Sequence, residues 1–179
     1  MQYWKKFSST GHGPVSNRPC NPKEYIDFIT GRKVLDVGCG TGNTLQYLKT
    51  KHSEAIGVTN NEDEIEIIKS KNLKFILSDM HSLPIGDQEI NGIVLWDVIE
   101  HSPSPWILMA EMNRILAAEG RVVAFIPGDE WIDCPYHLNV YTKKQAEFLF
   151  IRTGFSIIES TPFGGGIVYN LIKKREVCW

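Results

Sequence analysis

The chain has 179 residues, a formal net charge of −2, and 42% hydrophobic and 22% charged residues. This composition is typical of one globular domain and excludes disordered and fibrous classes. The balance of 19 basic against 21 acidic residues offers no general attraction for DNA or another nucleic acid.

No stretch of the sequence approaches the roughly 18 apolar residues of a membrane span, and the first residues lack a signal-peptide core. The four cysteines, Cys20, Cys39, Cys134 and Cys178, form no CxxC pair. They therefore indicate neither a zinc cluster nor a disulfide framework. We expect a soluble cytoplasmic protein.

Strand and helix patterns alternate along the chain. Residues 1–20 are polar and interrupted by glycine and proline, and we expect an N-terminal arm there. A helix then starts with Asn21 as N-cap and Pro22 at the first helical position. Strands are predicted at residues 33–37, 54–58, 73–77, 90–96, 121–126, 155–159 and 167–172. Helices are predicted at residues 43–51, 62–71, 105–118 (closed by Gly120) and 142–153.

This alternation predicts an α/β fold of three layers, because strands joined by helices form a parallel sheet that is covered on both faces. The last two strands leave no room for a crossover helix and should pair as an antiparallel C-terminal hairpin. The sequence therefore predicts one domain over residues 1–179, with its core at residues 33–174 and a seven-stranded, mostly parallel sheet.

A glycine-rich loop follows the first predicted strand in the segment VLDVGCGTGN, residues 34–43. Gly38, Gly40 and Gly42 permit positive φ and close approach of a ligand to the backbone. In the dinucleotide fingerprint the third glycine comes one residue later, and the loop binds a phosphate. Here Asp36 precedes the loop, and a carboxylate repels a pyrophosphate but attracts a positively charged ligand.

The loop resembles motif I of the class I S-adenosylmethionine-dependent methyltransferases. Over residues 33–174 the chain is similar to small type-11 enzymes of that family, including those of the ubiquinone pathway. The resemblance implies a Rossmann-like fold, S-adenosylmethionine as cofactor and S-adenosylhomocysteine as product. It also implies cofactor contacts at Asp36, Gly38, Cys39, Gly40 and Gly42.

Later segments carry further cofactor contacts that the resemblance implies. After the second strand the family usually has an acid at the ribose, where this chain has Thr59 followed by Asn60. The segment SDMHSLPIGDQEI resembles the one in which an aspartate, here Asp79, accepts from the adenine amino group and Met80 flanks the ring.

The segment LWDVIEHSPSP resembles the family motif that follows the fourth strand. It implies that Trp96 and Asp97 lie beside the sulfonium and methionine portion. His101 and His137 are the candidate catalytic bases, because a base assists transfer to a hydroxyl. The candidate walls of an acceptor pocket are aromatic: Trp106, Trp131, Tyr136 and Tyr141.

A metal site is a second interpretation of the same histidines. Asp97, Glu100 and His101 with the later His137 resemble the metal-assisted site of small-RNA ribose O-methyltransferases, where Mg²⁺, Mn²⁺ or Zn²⁺ activates a hydroxyl. Many type-11 enzymes carry a similar pattern without a known metal. The leading interpretation therefore assigns no metal, and a metal-assisted enzyme acting on an RNA ribose remains an alternative.

The leading hypothesis is a methyltransferase acting on a small-molecule or glycan-like acceptor, on oxygen. A non-catalytic S-adenosylmethionine-binding partner protein is an alternative, favoured by Thr59 in place of an acid. A nicotinamide dehydrogenase is disfavoured by the early third glycine. The sequence names neither the acceptor nor the oligomeric state.

Overall fold

A computed structural model describes residues 22–174 of the chain. The predicted arm at residues 1–20, the expected N-cap Asn21, and the cysteines Cys20 and Cys178 lie outside the described residues. Between residues 22 and 174, no helix combines the length and the apolar character needed to cross a membrane.

In the part of the chain that the structure describes, seven strands form one sheet in the order β3-β2-β1-β4-β5-β7-β6. They are β1 Lys33–Val37, β2 Glu54–Thr59, β3 Lys74–Leu77, β4 Ile90–Trp96, β5 Leu116–Pro127, β6 Phe155–Phe163 and β7 Gly166–Lys173. Neighbours among β1 to β5 pair in parallel, and β7 is antiparallel to both β5 and β6. The predicted fold class and the antiparallel hairpin are confirmed.

Between residues 22 and 174, five α-helices connect or flank these strands: α1 Lys23–Ile26, α2 Asn43–Lys51, α3 Ile65–Ser70, α4 Pro105–Ile115 and α5 Lys143–Arg152. The α5 helix begins with a capping box, in which Thr142 and Gln145 satisfy each other's backbone N–H groups. Pro105 is the first residue of α4, where a backbone N–H has no partner within the helix, so its absence loses no hydrogen bond.

The prediction that a helix over residues 105–118 ends at Gly120 is wrong. The α4 helix stops at Ile115, and Gly120 lies inside β5, which begins at Leu116. Leu116 pairs with Ile90 of β4 and is fully buried. This pairing and burial outweigh the helix propensity of the two alanines that follow.

The predicted helix over residues 62–71 is divided. A 3₁₀ turn occupies Glu62–Glu64, and α3 follows it. The side chain of Asn61 accepts from the backbone N–H of Asp63, so it caps this tight first turn.

The core lies on both faces of the sheet. Along β4, Ile93 and Leu95 belong to one buried cluster and Val94 to the other. A strand buried on both faces is a continuous apolar run, as the sequence predicts for β4. Because both faces of the sheet are covered, a ligand can reach the strand ends at the edges of the sheet.

Candidate functional site

The carboxyl ends of β1, β2 and β4 meet at one edge of the sheet. The β1 strand lies between β2 and β4, so the order of strands reverses there. Ligands of open α/β sheets bind in the crevice at such a point. The glycine loop, Thr59 and residues 97–101 all follow these strand ends.

The glycine loop has a backbone that residues with a side chain rarely adopt. Gly38, Gly40 and Gly42 have φ angles of 69°, 51° and 82°. A Cβ atom on Gly38 would lie 2.7 Å from Cγ2 of Val98. The loop therefore needs glycine both for its conformation and for its close contact with the segment after β4.

The loop is tied to β2 by two hydrogen bonds. The backbone N–H groups of Gly38 and Cys39 both donate to the carbonyl of Val58, at 2.9 and 3.1 Å. The Cys39 side chain is buried in the core, and its Sγ atom would lie 2.6 Å from a Cβ on Gly57. Cys39 thus borders the crevice through its backbone. Its thiol lies in the core and not at the crevice.

Asp36 is a buried acid at the base of the loop. Its exposed fraction is 3%, and its Oδ2 atom has no hydrogen-bond partner among the described residues. Burial raises the pKa of this carboxyl to about 7. A buried carboxylate oxygen needs a donor or a cation. Asp36 and the glycine loop therefore fit a ligand that carries an ammonium or another positive group.

Thr59 ends β2 beside the loop. It is buried, and its hydroxyl donates to Oε2 of Glu64 at 2.7 Å and accepts from the backbone N–H of Asn61 at 3.0 Å. Asn60 is exposed at the same turn. The roles of Thr59 and Asn60 stay predictions, and the sequence analysis gave no indication of the contact between Thr59 and Glu64.

Asp79 follows β3 and takes part in a chain of hydrogen bonds. Its Oδ1 atom accepts from the backbone N–H of His81 at 2.9 Å and lies 2.6 Å from Nδ1 of that ring. The Nε2 atom of His81 lies 2.8 Å from Oγ of Ser102. Partial burial opposes ionisation, but the hydrogen bonds from His81 leave the pKa of Asp79 below its usual value. Asp79 is therefore an oriented acceptor at the crevice.

The segment after Asp79 is braced against α4. The backbone N–H of Leu83 donates to Glu111 at 2.6 Å, and Arg114 donates to both oxygens of the Glu111 carboxylate. Met80 is half-buried against the core of this face. These hydrogen bonds fix the position of the predicted adenine-binding residues, Asp79 and Met80, relative to the sheet.

Trp96 belongs to an aromatic cluster at the end of β4. Its ring stacks on Phe125 with centroids 5.0 Å apart and meets Phe163 edge-on at 5.8 Å. Tyr25 completes the cluster at 6.3 Å from Trp96. Trp96 is half-buried, so one part of it packs in this cluster and another part faces outward at the sheet edge.

Asp97 follows Trp96 with a φ angle of 54°. Aspartate is among the few residue types that tolerate the left-handed region, and such residues cluster at functional turns. This turn redirects the chain from β4 into the 3₁₀ helix Ile99–His101.

Glu100, His101 and His137 come together beyond this turn. Each offers one ligand atom, and these atoms lie within 4.8 Å of one another. The two imidazole centroids are 5.0 Å apart. Nδ1 of His101 lies 2.8 Å from the carbonyl of Tyr136, which assigns a donating N–H to that nitrogen, and Nε2 lies 3.7 Å from Oε1 of Glu100. The group can relay a proton or bind a divalent cation.

Backbone contacts bring His137 to this position. The N–H groups of Leu138 and Asn139 both donate to the carbonyl of Glu100, at 2.9 and 3.0 Å. The side chain of Asn139 also donates to the carbonyl of Ser102 at 2.6 Å. The sequence predicted that His137 reaches the rim of the site but missed Asn139, which anchors the loop.

A cavity of about 190 Å³ lies between the end of β5, the start of β7 and the start of α5. Ile126, Asp129, Tyr141 and Lys143 are among its lining residues. The Tyr141 hydroxyl is buried with no hydrogen-bond partner among residues 22–174. Burial and the charge of Glu100 raise the pKa of Tyr141.

The other aromatic residues that were predicted to line an acceptor pocket lie in two different places. Trp131 lies 6.4 Å from the ring of His137, and the carbonyl of Tyr136 contacts His101. Trp106 does not line the cavity, because it packs against Phe148 on the outer surface of α4 and α5. Of the four aromatic residues, Tyr141 lines the cavity.

These features define a class: a Rossmann-like α/β domain whose crevice suits an adenosyl ligand with a positively charged end. The sequence matches the methyltransferase domain family over residues 35–124, which is half of the chain. The chain belongs to this family. Its membership supports S-adenosylmethionine as the cofactor, and the glycine loop, Asp36 and Asp79 fit that group.

Relatives and solved structures agree with this assignment. The chain is 32% identical over 108 residues to methyltransferase GfsG of Streptomyces halstedii, covering 55% of this chain and 39% of that protein. It is 25% identical over 162 residues to O-methyltransferase rstn1 of Aspergillus nomiae, covering 77% of this chain and 70% of that protein.

The fold matches a solved S-adenosylmethionine-dependent methyltransferase from Archaeoglobus fulgidus with a TM-score of 0.73 and 21% identity, covering 96% of this chain and 100% of that one. The chain spans between 35% and 45% of the length of the first curated relatives that it matches.

Proposed function

We propose that this protein transfers a methyl group from S-adenosylmethionine to a hydroxyl oxygen of a small-molecule or glycan-like acceptor. The observation that carries the proposal is the contact between His101, which follows β4, and His137, which follows β5, at the same sheet edge as the glycine loop. The relative from Aspergillus nomiae named an O-methyltransferase supports oxygen as the accepting atom.

S-adenosylmethionine, when bound, supplies a methyl group on a sulfonium that is already a good leaving group. The protein's residues then have three tasks. The glycine loop admits the cofactor close to the backbone, and Asp36 accepts from its ammonium group. His101 or His137 takes the proton of the acceptor hydroxyl as the carbon–oxygen bond forms.

The acceptor enters on the side of residues 127–141. The cavity beside Tyr141 and the rings of Trp131 and His137 supply an apolar surface with a few polar groups, which is the usual composition of a small-molecule site. The net charge of −2 gives no support to a nucleic-acid acceptor.

A panel of acceptors from different hydroxyl classes tests the proposal, with release of S-adenosylhomocysteine as the readout. We expect turnover with at least one class, and a loss of about 10²- to 10⁴-fold in the His101→Ala or His137→Ala variant. The matched control is His52→Ala, which contacts Gly31 at the opposite edge of the sheet. Binding of the cofactor without turnover on any acceptor would favour the non-catalytic alternative.

A metal-assisted reaction is the second candidate, favoured by the close approach of Glu100, His101 and His137. Asp97, the fourth predicted ligand, is not part of that trio. Calorimetric titration with Mn²⁺ tests it: binding that is lost in His137→Ala supports a metal site. Absence of Mn²⁺ binding, together with activity that survives chelation, would reject it.

A further inference from the structure

The end of β2 lacks the acid that would bind a ribose, yet a carboxylate lies directly beside it. The hydroxyl of Thr59 donates to Oε2 of Glu64 at 2.7 Å. The same hydroxyl accepts from the backbone N–H of Asn61 at 3.0 Å, so its proton is directed at the carboxylate. The Thr59 hydroxyl thus holds the Glu64 side chain against the strand end.

The turn after β2 explains how Glu64, five residues beyond Thr59, comes back to the end of that strand. Asn61 caps the 3₁₀ turn Glu62–Glu64, which reverses the chain directly after β2. Glu64 is the last residue of this turn, and its side chain is half-buried. Burial raises the pKa of its carboxyl, although the hydrogen bonds from Thr59 and Asn61 oppose the shift.

The carboxylate of Glu64 also lies near the glycine loop. The thiol of Cys39 has a pKa raised first by burial and then by the charges of Asp36 and Glu64, so both acids act on one loop residue. The loop itself is bonded to Val58, the residue before Thr59. Glu64, bonded to Thr59 at the end of β2, therefore lies beside the neighbouring strand β1, whose end carries Asp36 and the glycine loop.

A ribose presents two neighbouring hydroxyl groups, and a carboxylate accepts from both with charge-assisted hydrogen bonds. In dinucleotide-binding folds the acid for this task lies near the end of the second strand. Resting on the proposed function, we infer that Glu64 binds the ribose hydroxyls of the cofactor and that Thr59 is its positioning residue. The acid is supplied by the turn after β2 rather than by the strand.

The test compares two ligands on two variants by titration calorimetry. The ligands are S-adenosylhomocysteine and its 2′,3′-dideoxy analogue, which lacks the hydroxyls that Glu64 accepts from. The variants are Glu64→Gln and the matched control Glu66→Gln, an exposed residue on the same segment that pairs with Lys69.

We expect Glu64→Gln to bind S-adenosylhomocysteine about 10- to 100-fold more weakly than the wild type. With the dideoxy analogue the wild type and the Gln variant should agree within about twofold, because the group that distinguishes them is absent. Glu66→Gln should match the wild type with both ligands. If the amide variant does not fold, Glu64→Asp serves instead, because it keeps the charge and shortens the side chain by one methylene.

Equal weakening of both ligands would mean that Glu64 only supports the local fold, and it would overturn the inference while leaving the proposed function intact. Unchanged affinity of Glu64→Gln for S-adenosylhomocysteine would also overturn it. A wild-type protein that binds neither ligand would overturn the inference and the proposed function together.

Discussion

The proposed cofactor side and the proposed acceptor side of the site are held together by different kinds of contact. On the cofactor side, residues 36–42 and Thr59 are held by strand register and by backbone bonds, such as those from Gly38 and Cys39 to Val58. On the proposed acceptor side, residues 98–102 and 127–141 meet through two backbone bonds, from Leu138 and Asn139 to Glu100, and through side-chain bonds such as that from Asn139 to Ser102.

This difference suggests how the two sides respond to substitution. A backbone-built site tolerates few changes at its glycines, because any Cβ alters both conformation and contacts. A loop-built site can change its side chains while the sheet stays intact, as is common where a rigid scaffold carries variable loops. Four substitutions test this contrast.

Gly38→Ala should be the most damaging change. Its φ of 69° disfavours a residue with a Cβ by about 1–2 kcal/mol, and the contact with Val98 adds about 1–3 kcal/mol of overpacking. Gly164→Ala is the matched control, since its φ is 52° but no atom lies within 4 Å of the added Cβ. Urea unfolding measures both. Equal losses at the two positions would show that the contact with Val98 contributes nothing.

Asp36→Asn should change how stability depends on pH in the cofactor-free protein. The pKa of Asp36 is about 7 in the folded chain, above the value of 3.8 for an unburied aspartate. The folded state therefore binds this proton more tightly, and the carboxyl lowers the free energy of unfolding as pH rises from about 4 to about 7. The upper bound of this effect is about 4 kcal/mol.

Urea unfolding between pH 5 and pH 8 measures the effect. The wild type should lose stability over this range relative to Asp36→Asn, whose amide does not titrate. Parallel pH profiles for the two proteins would mean that the Asp36 carboxyl is solvated or paired in solution.

Asn139→Ala should affect the acceptor side alone. It removes the 2.6 Å bond to Ser102 and loosens the loop that carries His137. We expect kcat/KM to fall about tenfold while the affinity for S-adenosylhomocysteine stays unchanged. Leu138→Ala is the control, because its backbone N–H keeps its bond to Glu100. A loss of cofactor affinity in Asn139→Ala would show that the two sides are coupled.

His81→Gln should have the smallest effect. It breaks the link from Asp79 to Ser102 but leaves Asp79 in place, so we expect a few-fold loss of S-adenosylhomocysteine affinity, equivalent to about 0.5–1.5 kcal/mol. His52→Gln is the control at the far edge of the sheet. A loss beyond about 100-fold would mean that His81 contacts the ligand directly.

The sheet and the glycine loop were predictable because their signals are local. Alternating strand and helix patterns determine the parallel order, and glycine spacing marks a loop with positive φ. The boundary at Gly120 was not predictable, because pairing of Leu116 with Ile90 depends on a strand 26 residues away in the sequence.

The contacts that the sequence analysis did not predict share one cause. Glu64, His81 and Asn139 act through contacts whose partners lie in other segments or beyond a chain reversal. Periodicity along the chain carries no information on such pairs. The roles of His101 and His137 stay predictions, although the structure brings the two rings to 5.0 Å.

Titration calorimetry of the wild-type protein with S-adenosylhomocysteine measures whether the glycine loop and Asp36 bind the cofactor. The arrangement of Asp36 and the glycine loop predicts one ligand per chain, with a dissociation constant between about 1 μM and 1 mM. It also predicts that Gly38→Val abolishes the heat of binding. No detectable binding by the wild type at millimolar ligand would contradict the account.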